Sequence, residues 1–335
     1  MKLFVTGAAG FIGSNFVRYW LERHPDDSIV SFDALTYAGN LENLADFKDD
    51  PRHSFVKGDI RNAEEVAAAL AGCDAVVHYA AESHVDRSVS GPGIFVETNV
   101  LGTQVLLEQA LKAGIKRFHH ISTDEVFGDL PLDTDEKFNE ETPYDPSSPY
   151  SASKAGSDHL VRAYYRTYGL PVTISNCTNN YGPYHFPEKL IPLAILNALA
   201  DKPLPVYGDG LNVRDWIHVL DHARAVELIL EKGKIGETYC VGGEAERSNI
   251  WIAKEILRIT GKPESLISYV KDRPGHDRRY AIDNAKIRSE LGYEPSRTIE
   301  EGLEQTVEWY KSHEEWWKKV ISGDYQNYYA EQYGR

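Results

Sequence analysis

The sequence predicts an α/β fold in which a doubly wound parallel sheet is joined to a smaller mixed α/β domain. Short β-branched runs alternate with helical patterns through the first half of the chain, as in βαβ units. The strand-like runs are nearly continuous in apolar residues, which is typical of parallel strands covered on both faces. A Gly-rich turn directly follows the first strand and opens a helix. The 335 residues suit one large domain or two fused ones.

The apolar patterns predict the following strands and helices, given in order along the chain. The predicted strands are Lys2–Thr6, Ile29–Asp33, Ser54–Gly58, Asp74–Tyr79 and Lys116–Ser122. The predicted helices are Phe11–Arg23, Ala63–Ala71, Ile94–Ala113 and Tyr150–Tyr168. From about Asn179 prolines interrupt the chain and the alternation weakens, although Glu237–Val241 can return to the sheet. We therefore predict a first domain over 1–178, with about 212–242 returning to it, and a second over 179–211 and 243–335.

Composition excludes several classes of function. The chain has 51 acidic and 36 basic side chains, a net charge of −15 that disfavours nucleic acid and anionic membrane as partners. No apolar run approaches the roughly 20 residues of a membrane helix, and the N-terminus does not resemble a signal peptide. Three separated cysteines exclude a disulfide scaffold and fit a reducing cytoplasm. We expect no metal site, and we interpret His218 and His222 as a surface pair on a helix.

The Gly-rich turn runs from Thr6 to Gly13, with glycines at positions 7, 10 and 13. Glycine permits a tight turn and a close approach to a pyrophosphate at the helix N-terminus. Asp33 ends the second strand twenty residues after Gly13, where a carboxylate accepts from ribose hydroxyls and repels a 2′-phosphate. This Rossmann-like arrangement favours NAD over NADP. A plain strand–helix turn with a capping aspartate is the alternative, and no G-x-x-x-x-G-K-[ST] motif is present.

Tyr150 and Lys154 are four residues apart and lie on one face of the fourth predicted helix. An ammonium group beside a phenol stabilises the phenolate and lowers its pKa toward neutrality. The pair therefore predicts a general base for the oxidation of an alcohol. A surface pair without function is the alternative for this common spacing.

Two adjacent carboxylates, Asp124 and Glu125, follow the fifth predicted strand. Oxidation of an alcohol needs one base, which Tyr150 supplies. Two more carboxylates indicate further proton chemistry, such as elimination of water beside a new ketone, since neighbouring carboxyls push their pKa values apart. From residue types alone, a helix N-cap or a solvated turn stays open as an alternative.

Together these motifs resemble the extended short-chain dehydrogenase/reductase superfamily, in the branch that acts on nucleotide-sugars, over nearly the whole chain. Thr123-Asp124-Glu125 resembles the nucleotide-glucose 4,6-dehydratases, whereas related 4-epimerases usually have small residues there. The resemblance implies that Tyr150 removes a sugar hydroxyl proton while a hydride passes to NAD, and that Lys154 holds the ribose and tunes Tyr150. It also implies that Asp124 is the acid, Glu125 the base, and Thr123 a hydrogen-bonding partner near O4.

The resemblance also implies two sets of binding residues. The small residues around Ala80, the Asp59-Ile60 pair and the Thr98-Asn99 pair are expected beside the cofactor. The NAD-binding residues implied are Gly7, Gly10, Phe11, Ile12, Gly13, Asp33, Ala34, Leu35, Thr36, Asp59, Ile60, Ala80, Ala81, Glu82, Ser83, Thr98, Tyr150, Lys154 and Asn180.

The Pro-rich loop Asn179–Pro192 resembles the substrate loop of these dehydratases and is expected to follow the nucleotide. Later segments are expected to flank the base and close around the diphosphate. The substrate-binding residues implied are His84, Thr123, Asp124, Glu125, Asn179, Lys189, Leu190, Ile191, Pro205, Val206, Tyr207, Arg214, Asn249, Asp272, Arg273 and His276.

The implied reaction converts dTDP-glucose to dTDP-4-keto-6-deoxyglucose, an intermediate of deoxysugars such as rhamnose, with no net use of NAD. The first domain would then bind NAD and the second the nucleotide-sugar. UDP-glucose is the nearest alternative substrate, but the loop around His185 and the segment Arg273–His276 resemble the thymidine enzymes more. A 4-epimerase and a non-catalytic NAD-binding module are weaker alternatives. The resemblance further implies a homodimer whose four-helix interface uses Ile94–Ala113 and Tyr150–Tyr168.

Overall fold

The computed structural model describes residues 1–272 and 275–321. Its strands, numbered β1 to β12 along the chain, are Lys2–Thr6, Ser28–Asp33, His53–Lys57, Ala75–His78, Arg117–Thr123, Val172–Cys177, Asn179–Tyr181, Leu204–Tyr207, Val213–His218, Thr238–Val241, Glu246–Ser248 and Ile267–Val270. Its α-helices, numbered α1 to α12, are Phe11–Arg23, Ala63–Leu70, Val85–Ser90, Gly93–Phe95, Thr103–Ala113, Pro149–Tyr168, Leu190–Leu199, Val219–Lys232, Asn249–Thr260, Ala285–Leu291, Ile299–Ser312 and Glu314–Val320. Short 3₁₀ helices cover Leu41–Phe47, Asp124–Phe127 and Glu264–Leu266.

The main sheet has seven strands in the order β10-β6-β5-β4-β1-β2-β3, and every neighbouring pair is parallel. The strand order reverses between β1 and β4. In open sheets of this kind a ligand crevice forms beyond the carboxyl ends of the strands at such a switch point. The predicted α/β class and parallel sheet are confirmed, and β10 joins the sheet beside β6 as expected.

The alternation of side chains along β1 builds the two faces of the sheet. Leu3 and Val5 point into one apolar cluster, which also contains Phe16 of α1 and Ile229 of α8. Phe4 points to the opposite face, into a cluster packed by α2, α5 and α6. Successive residues of a strand face opposite sides, so a strand buried on both faces must be apolar throughout. Burial on both faces therefore explains why the strand-like runs of the sequence are continuously apolar.

Helix α6 begins at a strongly defined cap. Ser148 accepts from the backbone N–H of Ser151 at 3.0 Å, and the Ser151 hydroxyl accepts from the backbone N–H of Ser148 at 2.9 Å. Pro149 occupies the first helical turn, where its missing N–H has no helical partner to lose. This reciprocal capping sets the register of the helix and so the position of Tyr150 in its first turn.

The second half of the chain forms its own apolar cluster from α7, α9 and α11, including Ile195, Ile256 and Leu303. Two small sheets lie beside it, β11-β9-β7 and β12-β8. Of the segment 212–242 predicted to return to the first domain, α8 packs on α1 and β10 joins the main sheet, whereas β9 lies in the small sheet. No described helix is both long and apolar enough to span a membrane.

Two sequence expectations need correction. The single helix predicted over Ile94–Ala113 is interrupted, because Val96–Gly102 winds as a π-helix between α4 and α5. The histidines expected on a helix surface are buried: His218 caps α8 and is 4% exposed, and His222 is fully buried. Neither the burial of a polar histidine nor a π-turn is marked by the apolar pattern of the sequence, since both depend on what packs against the segment.

Candidate active site

A cavity of about 380 Å³ lies beyond the carboxyl ends of the main sheet strands. It brings together residues that are up to 209 positions apart, from Gly7 to Trp216. The predicted site residues that line it are Gly7, Gly10, Phe11, Ile12, Gly13, Asp33, Ala34, Thr36, Asp59, Ile60, Ala80, Ala81, Glu82, Ser83, Thr98, Thr123, Asp124, Glu125, Tyr150, Lys154, Asn179, Asn180, Lys189, Leu190 and Ile191.

Other predicted residues lie outside this lining. They are Leu35, His84, Pro205, Val206, Tyr207, Arg214, Asn249, Asp272 and His276, while Arg273 falls outside the residues that the structure describes. Tyr207 meets the His276 ring edge-on, and the His276 imidazole lies 2.6 Å from an Asp272 carboxylate oxygen, so these three form one group. The Arg214 guanidinium donates to the backbone carbonyls of Val213 and Asp277.

The Gly-rich turn is shaped to receive a phosphate group. Gly7 has a φ of +66°, a conformation that glycine adopts without strain. A Cβ on Gly13 would lie 2.3 Å from the Gly7 carbonyl oxygen, so only glycine allows the helix to start this close to the strand. The N-terminus of α1 therefore opens directly on the cavity, where its N–H groups and dipole favour an anion.

Asp33 is held at the end of β2 by two backbone donors. The N–H of Ala9 donates to its Oδ2 at 3.0 Å and the N–H of Leu35 donates to its Oδ1 at 2.8 Å. Burial raises the pKa of Asp33 from its usual value, and these two N–H groups oppose that rise. The carboxylate thus faces the cavity in one orientation. Together with the glycine cradle, it fits the adenosine half of a dinucleotide such as NAD.

Tyr150 and Lys154 are both buried, at 8% and 4% exposure, and both line the cavity. The Lys154 ammonium donates to the Ile121 carbonyl at 2.7 Å. Burial, with the nearby Glu125 and other acidic groups, holds the pKa of Tyr150 well above its usual value, while a hydrogen bond with Thr123 lowers it. A positive charge close to the phenol would lower this pKa toward neutrality.

A buried polar network stands behind Lys154. Its amino nitrogen lies 3.5 Å from His120 Nε2, which lies 3.1 Å from Asp158 Oδ1. Hydroxyls of Ser122 and Tyr144 each donate to Asp158 Oδ2 at 2.8 Å. Although burial opposes ionisation, the contacts with His120 and Lys154 hold the pKa of Asp158 below its usual value. Asp158 therefore supplies a fixed negative charge near the lysine, a feature that the sequence analysis missed.

The two adjacent carboxylates occupy different environments. Asp124 is 1% exposed, and burial together with the charge of Glu125 raises its pKa well above the usual value. Its Oδ1 accepts from the Thr123 hydroxyl at 3.3 Å, and its Oδ2 has no hydrogen-bond partner among the described residues. Glu125 is only partly buried. Asp124 is thus suited to hold a proton and Glu125 to accept one, an arrangement that separates acid from base.

Further cavity residues were not predicted. Glu188 is buried and lies 3.1 Å from the Arg87 guanidinium, and Cys177 ends β6 beside Asn179. Asn180 was predicted, and His222 holds it in place: His222 Nδ1 lies 2.9 Å from Asn180 Oδ1. Position alone could have indicated Cys177, because it closes a strand of the parallel sheet. Nothing in the sequence pattern could have indicated His222.

Comparisons with known proteins agree with this geometry. The family model described as GDP-mannose 4,6 dehydratase matches residues 4–306. A dTDP-glucose 4,6-dehydratase of Escherichia coli is 53% identical, over 97% of this chain and 98% of its own. One of Xanthomonas campestris pv. campestris is 55% identical, over 96% of both chains.

Solved structures show the same relationship. A dTDP-glucose 4,6-dehydratase of Streptomyces venezuelae, solved with NAD bound, superposes with a TM-score of 0.93 at 51% identity, covering 96% of this chain and all of its own. A UDP-glucose 4-epimerase of Thermotoga maritima superposes with a TM-score of 0.86 at 31% identity, covering 93% of this chain and 99% of its own. The chain therefore belongs to the GDP-mannose 4,6 dehydratase family, enzymes of the extended short-chain dehydrogenase/reductase type that act on nucleotide-sugars. Its full-length relatives at 53% and 55% identity within that family are dTDP-glucose 4,6-dehydratases.

Proposed function

We propose that this enzyme is a hydro-lyase that converts dTDP-glucose to dTDP-4-keto-6-deoxyglucose with NAD as cofactor. The observation that supports this most is the joint presence of Tyr150, Asp124 and Glu125 in the lining of one cavity. A dehydrogenase or an epimerase needs only the first of these groups. The similarity to dTDP-glucose 4,6-dehydratases favours this substrate over UDP-glucose.

In the proposed binding mode, the turn at Gly7–Gly13 holds the pyrophosphate and Asp33 holds the adenosine ribose. Bound NAD would accept a hydride from C4 of the sugar and return it to C6. Asn179, Lys189 and neighbouring loop residues follow the nucleotide, and Tyr207, Asp272 and His276 close around its far end. We further propose that 1–178 with 212–242 bind the cofactor and that 179–211 with 243–335 bind the nucleotide-sugar.

The protein's own groups then move the protons. Tyr150 takes the proton of the C4 hydroxyl as the alcohol is oxidised, and Lys154 holds a positive charge near the phenolate. The new ketone acidifies C5, and Glu125 removes its proton. Asp124, which holds a proton because it is buried, donates it to the departing C6 hydroxyl. Glu125 finally returns its proton to C5.

A turnover assay with dTDP-glucose and, separately, UDP-glucose tests the proposal. No NAD is added in the first trial, because a redox-neutral cycle needs only the cofactor that is already bound. The 4-keto-6-deoxy product is detected by its near-ultraviolet absorbance after alkali treatment. We expect clear preference for dTDP-glucose. Activity with UDP-glucose alone would contradict the assignment of a thymidine nucleotide. If neither substrate gave product with NAD supplied, the proposed dehydratase function would be wrong.

We also propose a cytoplasmic homodimer in which two helices from each subunit form the interface. An apolar surface supports this: Val96 and Leu101 are 54% and 51% exposed on the π-helical segment, and Tyr168 is 57% exposed at the end of α6. Cys73, Cys177 and Cys240 are all unpaired, in keeping with a reducing compartment.

Replacing Leu101 with Asp is expected to weaken that dimer. An unpaired carboxylate buried in an apolar interface costs more than about 1.4 kcal/mol, which corresponds to a tenfold or greater rise in the dissociation constant. Sedimentation velocity over a concentration series measures it. Leu211→Asp is the matched control, since Leu211 is 49% exposed in another part of the fold. Equal behaviour of the two variants would contradict this interface.

A further inference from the structure

The segment 183–188, called the strap from here on, lies beside the turn that is shaped to receive a phosphate. Three of its side chains, His185, Phe186 and Glu188, line the cavity together with the glycines of that turn. The strap belongs to neither a helix nor a strand. Its position therefore depends on the contacts that its side chains and carbonyl groups make with the rest of the fold.

Helix α1 holds one side of the strap through residues on a single face. Phe11, Asn15 and Arg18 are spaced i, i+4 and i+7, so they lie in a row along the helix. The Phe11 ring stacks on His185 with the ring centroids 4.2 Å apart. Asn15 Nδ2 donates to the Pro183 carbonyl at 2.9 Å. Because the phosphate-binding turn opens this same helix, the strap is fixed to the element that receives the cofactor.

Arg18 makes the third contact of this row. Its Nη2 donates to the Tyr184 hydroxyl at 3.1 Å, and its guanidinium lies 4.5 Å from the centre of the Tyr184 ring. Tyr184 has a φ of +65°, a left-handed conformation that is unusual for a bulky residue. Its ring also packs against Trp309 and Trp316. Contacts from both parts of the fold therefore hold Tyr184 in a conformation that costs free energy.

Arg87 holds the other end of the strap. Its Nη2 and Nε donate to Glu188 Oε2 at 3.1 Å and 3.3 Å, and the Glu188 side chain is 1% exposed. The Arg87 guanidinium also lies 4.1 Å from the centre of the Tyr37 ring, which lines the cavity after β2. Phe186 meets the Tyr37 ring edge-on. Separating a buried carboxylate from its cation is strongly unfavourable, so this end of the strap is firmly joined to the segment that follows Asp33.

We propose that the strap, fastened by Arg18 and Arg87, retains NAD in the cavity between turnovers. This inference rests on the proposed function, in which the glycine turn and Asp33 bind the cofactor. The strap is tied to α1 and to the segment after β2, so release of the dinucleotide requires the strap to separate from them. Retention suits the proposed cycle, because the hydride returns to the sugar and the same NAD serves the next turnover. Arg18 and Arg87 are positioning residues that act through the strap.

Release of radiolabelled NAD from loaded, gel-filtered enzyme tests the proposal, with excess unlabelled NAD as the chase. We expect Arg18→Met and Arg87→Met each to release the label about tenfold faster or more than wild-type enzyme, because each loses a charge-assisted hydrogen bond to the strap. Arg23→Met is the matched control. Arg23 lies on the same helix and also combines an ion pair with a ring contact, but with Glu227 and Tyr19 rather than with the strap. It should release NAD at the wild-type rate.

Turnover of dTDP-glucose with NAD in excess provides a second readout. We expect kcat to be unchanged in Arg18→Met. A raised KM for the sugar with unchanged NAD release would show that the segment contacts substrate only, and would overturn the proposal. Equal release from all four proteins, or rapid release from wild-type enzyme, would also overturn it.

Circular dichroism establishes that each variant is folded. If a methionine variant fails to fold, Tyr184→Phe takes its place in the release assay, because it removes only the hydroxyl that accepts from Arg18. The release assay contains no sugar, so its outcome is independent of whether the enzyme is a dehydratase.

Discussion

Replacing Asp124 with Asn is expected to halt the reaction after the sugar has been oxidised at C4. The amide is isosteric and can still accept from Thr123, but it has no proton to give to the departing C6 hydroxyl. General acid catalysis contributes about 10²–10⁴-fold, so product formation should fall by that factor. Reduced cofactor should accumulate at the same time, which its near-ultraviolet absorbance reports after mixing with dTDP-glucose.

Asp133→Asn is the matched control for this loss, because Asp133 is an exposed carboxylate outside the cavity. It should leave product formation unchanged. Wild-type turnover by Asp124→Asn, or loss of turnover without reduced cofactor, would show that Asp124 is not the acid of the elimination step.

Replacing Tyr150 with Phe is expected to stop the reaction one step earlier. Without the phenolate nothing removes the C4 hydroxyl proton, so both product and reduced cofactor should fall by about 10²–10⁴-fold. The fold should persist, because the phenylalanine ring can still pack edge-on against Phe95. The same absorbance and product assays measure it.

Tyr168→Phe controls for this variant, since Tyr168 lies on the same helix and is 57% exposed. It should retain full activity. Accumulation of reduced cofactor by Tyr150→Phe would contradict the assignment of Tyr150 as the base, and would point to another group. The two catalytic variants are thus distinguished by where the reaction stops, which a general loss of folding could not produce.

The likeness to an epimerase at a TM-score of 0.86 shows that this architecture serves more than one reaction. In the mechanism proposed here, the glycine turn and the Tyr150–Lys154 pair serve oxidation at a sugar carbon. In the proposed mechanism, the carboxylates at 124 and 125 are the addition that supports elimination of water. The proposed mechanism therefore assigns the choice between reactions to a few side chains at the end of β5 rather than to the fold.

Local motifs were predictable because their physical cause is local. Gly7, Gly10 and Gly13 form a turn through their own backbone, and Lys154 follows Tyr150 by one helical turn. The parallel sheet was predictable because strands buried on both faces must be apolar throughout. The carboxylate pair was visible in sequence as well, although residue types alone could not separate it from a helix cap. In the structure Thr123 is the cap, and the two carboxylates occupy the first turn of the short helix that begins with Asp124.

Other properties of the site depend on burial and on partners distant in sequence. Asp158 follows Lys154 by one helical turn. The connection between the two side chains is seen only in the folded protein, where His120, 34 residues from Lys154 in sequence, lies close to both. His222 holds Asn180 across 42 residues and is buried where a surface position was expected. The winding of Val96–Gly102 as a π-helix likewise left no periodic signal.

The sequence by itself determined the fold class, the cofactor turn and the candidate chemistry, because each follows from residue type and short-range spacing. Only the tertiary structure decided which of the two carboxylates is more deeply buried and has its pKa raised, and which buried charge lies near the lysine. These properties depend on desolvation and on distances between elements that folding brings together. The pKa of Asp124 is raised because the folded protein excludes water from it, and no stretch of sequence contains that information.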